Sequence, residues 1–409
     1  MKNALFFLVN LFISYSQLKK VFLNLLLILA INTQAQWQHV GNPGFSDGEA
    51  YYTTLTVNSG GTPFVTYLDQ ANQWKISVKS YNGTNWEYVG NPGFSQGKVS
   101  EPSSAMDMNG VLYVAFTDIS LAGKATVMQF NGTIWENVGN PGFTSGQANF
   151  ISIAIDNSGI PFIAYSDNAS SSKVTVMKFN GSSWEVVGNP GFSAGNIFYP
   201  SIRIDGNGIP YVAYQDVVNS SKETVMRYNG TSWETVGMPG FSSESSKSGS
   251  LAISAAGVPY VAYIEGTPLK ATVMMYNGTN WEPVGSPQFS STWTRYPSLI
   301  IDNTETPVIA YWDQGFFPNP GTIIVSRYDG TNWVDIGPTG LSFLQADYVS
   351  LAVSGDGDLL VAYQDAGSSG KATVIKFDSP SAPSVPLSNW SIIFALFLIG
   401  TVIWFRWFK

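Results

Sequence analysis

The chain of 409 residues contains no cysteine and a single histidine, His39. The first absence excludes disulfides, thiolate metal sites and cysteine nucleophiles. The second excludes a histidine-rich metal centre and a repeated histidine base. Charge is scarce as well, at 12% of residues, while hydrophobic residues reach 44%, too many for a disordered chain. Glycine (40), phenylalanine (25), tyrosine (20) and tryptophan (13) are abundant. That mixture belongs to a β protein with many turns rather than to a helical bundle.

The few charges are segregated. Five of the 20 basic residues (Lys2, Lys19, Lys20, Arg406 and Lys409) lie in end segments that carry no acid. The body between them keeps 15 basic residues against 28 acidic ones, a net charge of −13. Such a body repels nucleic acid backbones and anionic lipid surfaces, which excludes nucleic acid as a partner.

The two ends read as addresses. Residues 4–15 are apolar, Lys19-Lys20 follow, and Val21 to Ile31 form a second apolar run before Thr33-Gln34-Ala35. A basic stretch, an apolar stretch and a small residue predict a secretory signal over residues 1–35, with Gln36 first in the mature chain. Residues 379–389 are a Pro/Ser linker. Residues 390–409 hold the apolar run SIIFALFLIGTVIWF between Trp390 and the basic Arg406 and Lys409. Interfacial tryptophans and a basic stop predict a transmembrane segment with the body outside. The expected location is therefore exported, anchored in the inner membrane facing the periplasm, with release to the cell surface if the tail is cut. The tail resembles the three-part C-terminal sorting signals of bacterial exosortase systems, the PEP-CTERM type and its relatives. Here the motif is Val385-Pro386-Leu387-Ser388-Asn389-Trp390 rather than Pro-Glu-Pro. The resemblance implies a sorting protease as partner; a permanent anchor is the alternative.

Between the ends the chain repeats. Trp37, Trp86, Trp135, Trp184, Trp233, Trp281 and Trp333 are spaced by 49, 49, 49, 49, 48 and 52 residues. Each opens a short strand, followed by an Asn-Pro-Gly-Phe-Ser-type turn and a strand such as Ser201 to Asp205. An Asp-x-x-Gly turn, a strand such as Pro210 to Tyr214, a loop, and a strand such as Thr224 to Tyr228 complete the unit. Asn-Gly then leads to the next Trp, a strong hairpin signal because both residues tolerate positive φ. Four strands at this period predict an all-β, seven-bladed β-propeller over residues 36–378, with four antiparallel strands per blade. The chain begins with a lone fourth strand and ends with a third strand lacking its Trp partner. The N-terminal strand should therefore complete the last blade and remove an open edge. The Asp-x-x-Gly-x-Pro-Tyr-Val-Ala-Tyr and Asn-Gly-Thr-x-Trp-Glu elements resemble those of secreted bacterial propellers. The Trp-Asp pairs of WD40 repeats and the Ser-x-Asp-x-Gly-x-Thr-Trp box of sialidases are missing.

Comparison of the units with one another locates the candidate site. The loop between second and third strands spans 11 residues in five units, 10 in the fifth and 14 in the sixth (Tyr311 to Val325). This variable face is where a ligand would dock, because loops on a rigid scaffold change without cost to the core. The sixth unit adds Trp312, Asp313, Phe316 and Phe317 in its loop and Trp293, Arg295 and Tyr296 just before it. These seven are the expected ligand-binding residues: a stacking platform for a sugar ring or for a partner's apolar knob. Packing of the insertion on itself is the alternative. In six units an acid two residues after the second strand's aromatic has a Lys five or six residues on, an expected cross-loop ion pair. In the sixth unit Gly321 takes the Lys position, which would leave Asp313 unpaired. Trp312→Ala should then weaken binding and leave folding nearly intact. Five of the seven residues two before each strand-opening Ser or Thr are aromatic (Tyr52, Phe150, Tyr199, Tyr296, Tyr348), with Glu101 and Ser248 in the other two places. They are a second candidate, read as inter-blade packing.

No catalytic constellation, cofactor motif or metal site is legible. Asp356-Gly-Asp358 has too few carboxylates for Ca²⁺, which takes 6–8 oxygen ligands. The expected function is an exported binding or display propeller whose partner is a glycan or a protein. A glycan-active hydrolase or lyase, and an adhesive protein without a small ligand, are the alternatives.

Overall fold

The computed structural model describes residues 36–315, 321–337, 341, 342 and 344–378. The signal, linker and transmembrane expectations, and Phe316 and Phe317, lie outside these residues. Among the described residues no helix is long and apolar enough to cross a membrane.

Alternating apolar segments of three to eight residues form 28 strands, grouped in seven antiparallel sheets of four. The innermost strands are β2 (Ala50–Val57), β6 (Val99–Met106), β10 (Ala148–Ile155), β14 (Ile197–Ile204), β18 (Ser246–Ile253), β22 (Thr294–Ile301) and β26 (Ala346–Val353). They open blades 1 to 7 in that order. Six blades use four consecutive strands. The seventh takes β26, β27 (Leu359–Asp365), β28 (Lys371–Phe377) and β1 (Trp37–His39). Trp37 pairs with Phe377 and His39 with Ile375, so the ring closes through the N-terminal strand as expected.

The core is divided among the seams between blades, one hydrophobic cluster to each. Two repeated devices hold the seams, the second at all seven and the first at six, with Leu341 in the phenylalanine's place between blades 6 and 7. The phenylalanine of each Asn-Pro-Gly-Phe turn stacks on the next blade's tryptophan, as in Phe94–Trp135 at 4.0 Å and Phe192–Trp233 at 4.2 Å. That tryptophan's Nε1 donates to a carbonyl of the preceding blade, as in Trp135 to Val89 at 2.7 Å. Near the axis, the hydroxyls of Ser103, Ser152, Ser201, Ser250, Ser298 and Ser350 accept from a backbone N–H of the following blade at 3.0–3.3 Å. Thr54 bonds the Ser104 hydroxyl at 2.7 Å and completes the circle. The repeated Ser or Thr thus satisfies donors that an inner edge strand would otherwise leave open.

The recurring acids behave differently from expectation. Asp69, Asp118, Asp167, Asp216, Glu265, Asp313 and Asp365 are buried. Among the described residues none forms an ion pair with its Lys. They accept instead from third-strand hydroxyls, as in Ser77 to Asp69 at 2.6 Å and Thr175 to Asp167 at 2.8 Å. Loop N–H groups add further donors, such as Ala169 to Asp167 at 3.0 Å. A buried carboxylate is best held by several directed donors, which these loops provide.

Candidate functional site

Each innermost strand carries a β-bulge near its start. In blade 1 the register with the second strand breaks between Tyr51 and Thr54, and in blade 7 between Asp347 and Ser350. The bulged residues are Tyr52, Glu101, Phe150, Tyr199, Ser248, Tyr296 and Tyr348, all at φ between 51° and 57°. Left-handed backbone is strained for any residue with a Cβ, and most of all for bulky ones. Seven aligned repetitions, five of them aromatic, mark these positions as held by the ring rather than by local preference.

These residues rim a cavity of about 470 Å³ at the mouth of the central channel, on the same face as the variable loops. The ring of Ser and Thr hydroxyls lies deeper in it. Two aromatic arcs stand across it. One runs from Tyr296 to Tyr348 (5.2 Å between ring centres) to Tyr52 (4.6 Å). It extends outward through Tyr51, 6.2 Å from Tyr348 and 5.1 Å from Trp74. The other joins Phe150 to Tyr199 at 5.0 Å and to Phe198 at 5.8 Å. Glu101 on blade 2 and Ser248 on blade 5 interrupt the ring between the arcs. The mouth is therefore a cleft with aromatic walls and polar ends.

Tyr52 and Tyr199 keep 36% and 39% of their surface exposed, enough for a ring face to meet a ligand. Burial raises the pKa of Tyr52, with Glu101 adding to the effect. Burial, followed by Asp347, pushes Tyr296 up to about 12. The Tyr52 and Tyr296 hydroxyls are therefore neutral donors at physiological pH. Glu101 is the one carboxylate among the residues lining this cavity. It accepts from the Phe150 N–H, and burial raises its pKa despite that bond.

The sixth-blade platform is only partly assembled. Tyr296 belongs to the cleft wall. Trp293 is 44% exposed, and the Arg295 guanidinium lies 5.8 Å above the Trp312 ring. Trp312 itself is 5% exposed and packs in the core between blades 6 and 7. Asp313 is buried and has donors: Ser291 Oγ at 3.0 Å, the Thr292 N–H at 3.2 Å, the Thr292 hydroxyl, and the Gly315 N–H at 2.9 Å. The expected unpaired carboxylate is thus corrected. Ile324 stands where other blades place the hydroxyl donor, and the preceding connection supplies donors instead. Gly321 also has a packing reason. A Cβ there would come within 2.7 Å of Trp312 Cζ2, at a backbone φ of 82°. In the strand register Thr322, not Gly321, stands opposite Asp313 where the other blades place the Lys, so the expected substitution of that Lys by Gly321 is also corrected.

The seam between blades 4 and 5 departs from its siblings behind the cleft. Glu223 on the third strand of blade 4, β16 (Lys222–Tyr228), replaces the Ile, Val or Ala of the other blades and is 0% exposed. It accepts from Ser246 Oγ at 2.9 Å, while its Oε2 is buried with no partner among the described residues. A Cβ on Gly249 would sit 3.0 Å from that oxygen, so a side chain there would press the acid aside by a few tenths of an ångström. Burial pushes Glu223 up to about 7, and Glu265 adds to the shift. Repeat comparison could have found this residue, since an acid at an apolar strand position is legible.

No protein-family model matches the sequence, and no curated protein matches it. Among solved structures, an ulvan lyase from a family of polysaccharide lyases, bound to GlcA(1-4)Rha3S, is similar. Its TM-score is 0.54 at 15% identity, over 79% of this chain and 93% of that one. A protein of unknown function from Dyadobacter fermentans has a TM-score of 0.48 at 11% identity, over 84% and 98%. A lectin in complex with alpha methyl fucoside has 0.47 at 14% identity, over 74% and 99%. What the ulvan lyase shares with this chain is the fold, a seven-bladed β-propeller here.

Proposed function

We propose that this propeller binds carbohydrate, laying a glycan chain across the mouth of its central channel. The observation that carries the reading is the pair of aromatic arcs, exposed and held in strained backbone on opposite walls of one cleft. Sugar rings present flat C–H faces that stack on tyrosine, and their hydroxyls suit the polar cleft ends. The ulvan lyase of similar fold is itself bound to a glycan, which agrees with this reading. The test is a glycan microarray followed by titration calorimetry on the purified protein. A hit should be weakened by Tyr199→Ala and by Tyr348→Ala. Failure to bind any neutral or acidic glycan overturns the proposal.

Turnover is the second reading, and Glu101 favours it: a partly buried acid with a raised pKa beside Tyr52. Hydrolysis by paired carboxylates needs a second acid across the bond, and the cavity wall holds one. Binding therefore remains the primary reading. Product release that disappears in Glu101→Gln would reverse the order.

The site is placed outside the cytoplasm in this proposal, on the sequence of residues 1–35 and 379–409. The tail would serve as a membrane anchor or as the substrate of a sorting protease. Proteolysis of spheroplasts should digest the propeller while cytoplasmic markers survive; full protection refutes this topology.

A further inference from the structure

The innermost strands carry five acidic or basic side chains, and these are sorted by sign. Arg203, Lys247 and Arg295 lie on consecutive blades 4, 5 and 6, whereas Glu101 and Asp347 lie on blades 2 and 7. Blades 4, 5 and 6 are tied directly, by Leu251 N–H to Ser201 Oγ at 3.2 Å and Leu299 N–H to Ser250 Oγ at 3.0 Å. Among the described residues none of the three cations forms an ion pair. This is notable in a body whose net charge is −13.

Each cation has a distinct setting. Lys247 and Arg295 are exposed, immediately before the bulged residues Ser248 and Tyr296. In the same register Tyr51 stands 6.2 Å from Tyr348, and Phe198 stands 5.8 Å from Phe150. That register sets Arg295 beside Ser248 and Lys247 beside Tyr199. Trp312 supports the Arg295 guanidinium from below. Arg203 lies nearer the other end of its strand, where the remaining blades carry Thr56, Ala105, Ala154, Ala252, Ile300 and Ala352. Its guanidinium donates to the Ile202 carbonyl at 2.7 Å. Burial lowers its pKa, yet an arginine keeps its charge. A desolvated cation without a counter-charge is costly, and an anion nearby offsets the cost. The buried Asp205 follows two residues further on, its carboxylate engaged by the Asn207 and Ile209 N–H groups. Ser248 and Gly249 add no large side chain, so the cleft is open on this side.

We propose that the blade 4–6 side of the channel mouth is an anion subsite, and that the glycan taken by the cleft is acidic. Its carboxylate or sulfate lies against Lys247 and Arg295, with Arg203 adding positive potential from the axis. Glu101 on blade 2 repels the same group from across the mouth, while Asp347, beside Tyr296, bounds the subsite at its blade 7 end and so helps to orient the chain. This inference rests on the glycan-binding reading above.

The test is calorimetry on the purified full chain with three probes of equal length: an oligogalacturonide, a sulfated carrageenan oligosaccharide and a neutral cello-oligosaccharide. At least one acidic probe should bind about tenfold more tightly than the neutral one, the scale of two or three charge contacts. High salt should weaken the acidic probe alone. The double variant Lys247→Gln, Arg295→Gln should erase the preference, bringing the acidic probe to the affinity of the neutral one; both residues are exposed, and a melting curve checks the fold. Whether carboxylate or sulfate is preferred tells the two acidic chemistries apart. Equal affinity for neutral and acidic probes, salt-independent binding, or a preference that survives in the double variant overturns the anion subsite and leaves the glycan reading intact. No binding of any probe overturns both.

Discussion

Trp37 Nε1 donates to the carbonyl of Ile336 at 2.7 Å, across 299 residues of chain. The other six repeat tryptophans make the same bond to the preceding blade, at 2.7–2.8 Å and separations of 45–49 residues. The seam between blades 6 and 7, which the N-terminal strand borders, thus carries the same tryptophan bond as the other six. Trp37→Ala should destabilise the protein by about 3–5 kcal/mol, and Trp37→Phe by about 1 kcal/mol for the lost hydrogen bond. Deleting residues 37–41 should bare the edge of β28 and end cooperative unfolding. An unchanged urea transition for the deletion would contradict this closure.

The strain at the mouth predicts an unusual order of stabilities. Glycine adopts the left-handed backbone of Tyr199 without penalty, whereas alanine retains it. Tyr199→Gly should therefore be more stable than Tyr199→Ala by about 1 kcal/mol, although glycine normally destabilises a strand. Both should weaken glycan binding alike. Thermal melts of the two variants decide the matter, and the opposite order would show the bulge to be unstrained.

Trp312 and Trp293, two tryptophans of one blade, should separate cleanly. Trp312→Ala empties a core site and should cost about 3–5 kcal/mol. Trp293→Ala, at a 44% exposed position, should change stability by no more than about 0.5 kcal/mol. Equal effects would undo the assignment of Trp312 to the seam.

Glu223 makes stability depend on pH. Burial raises its pKa from 4.5 to about 7, so the folded state holds a proton that the unfolded state releases. Stability should fall as pH rises from the unfolded value through the folded one, by on the order of 3 kcal/mol. Glu223→Gln should flatten that fall, matching the parent near pH 5 and exceeding it near about pH 8. A variant that loses stability at the higher pH would show the ionised acid to be favourable where it lies.

Legibility followed the repeats. The Trp-to-Trp spacing, the Asn-Gly hairpins and the orphan strands at each end determined seven blades and their closure. Strand period and turn chemistry are local, and any residue that broke them would show. The same alignment singled out Tyr52, Phe150, Tyr199, Tyr296 and Tyr348, yet packing was the natural reading. Nothing local tells an aromatic residue to adopt a positive φ. Trp312 was misjudged for a related reason. Its position holds Leu68, Thr117, Ser166, Gln215, Ile264 and Gln364 in the other blades. That mixture hides which side is buried.

By itself, then, the sequence determined the architecture, because seven near-copies of one strand-and-turn pattern admit few other arrangements. Tertiary structure alone decided the site. Closing the ring brought seven bulges from distant parts of the chain around one axis, where neighbouring blades hold them in a conformation none would adopt alone. It also set Arg203, Lys247 and Arg295 on the innermost strands of three consecutive blades, although they are separated by 44 and 48 residues in sequence. Proximity of that kind is a property of the closed ring, and no single repeat encodes it.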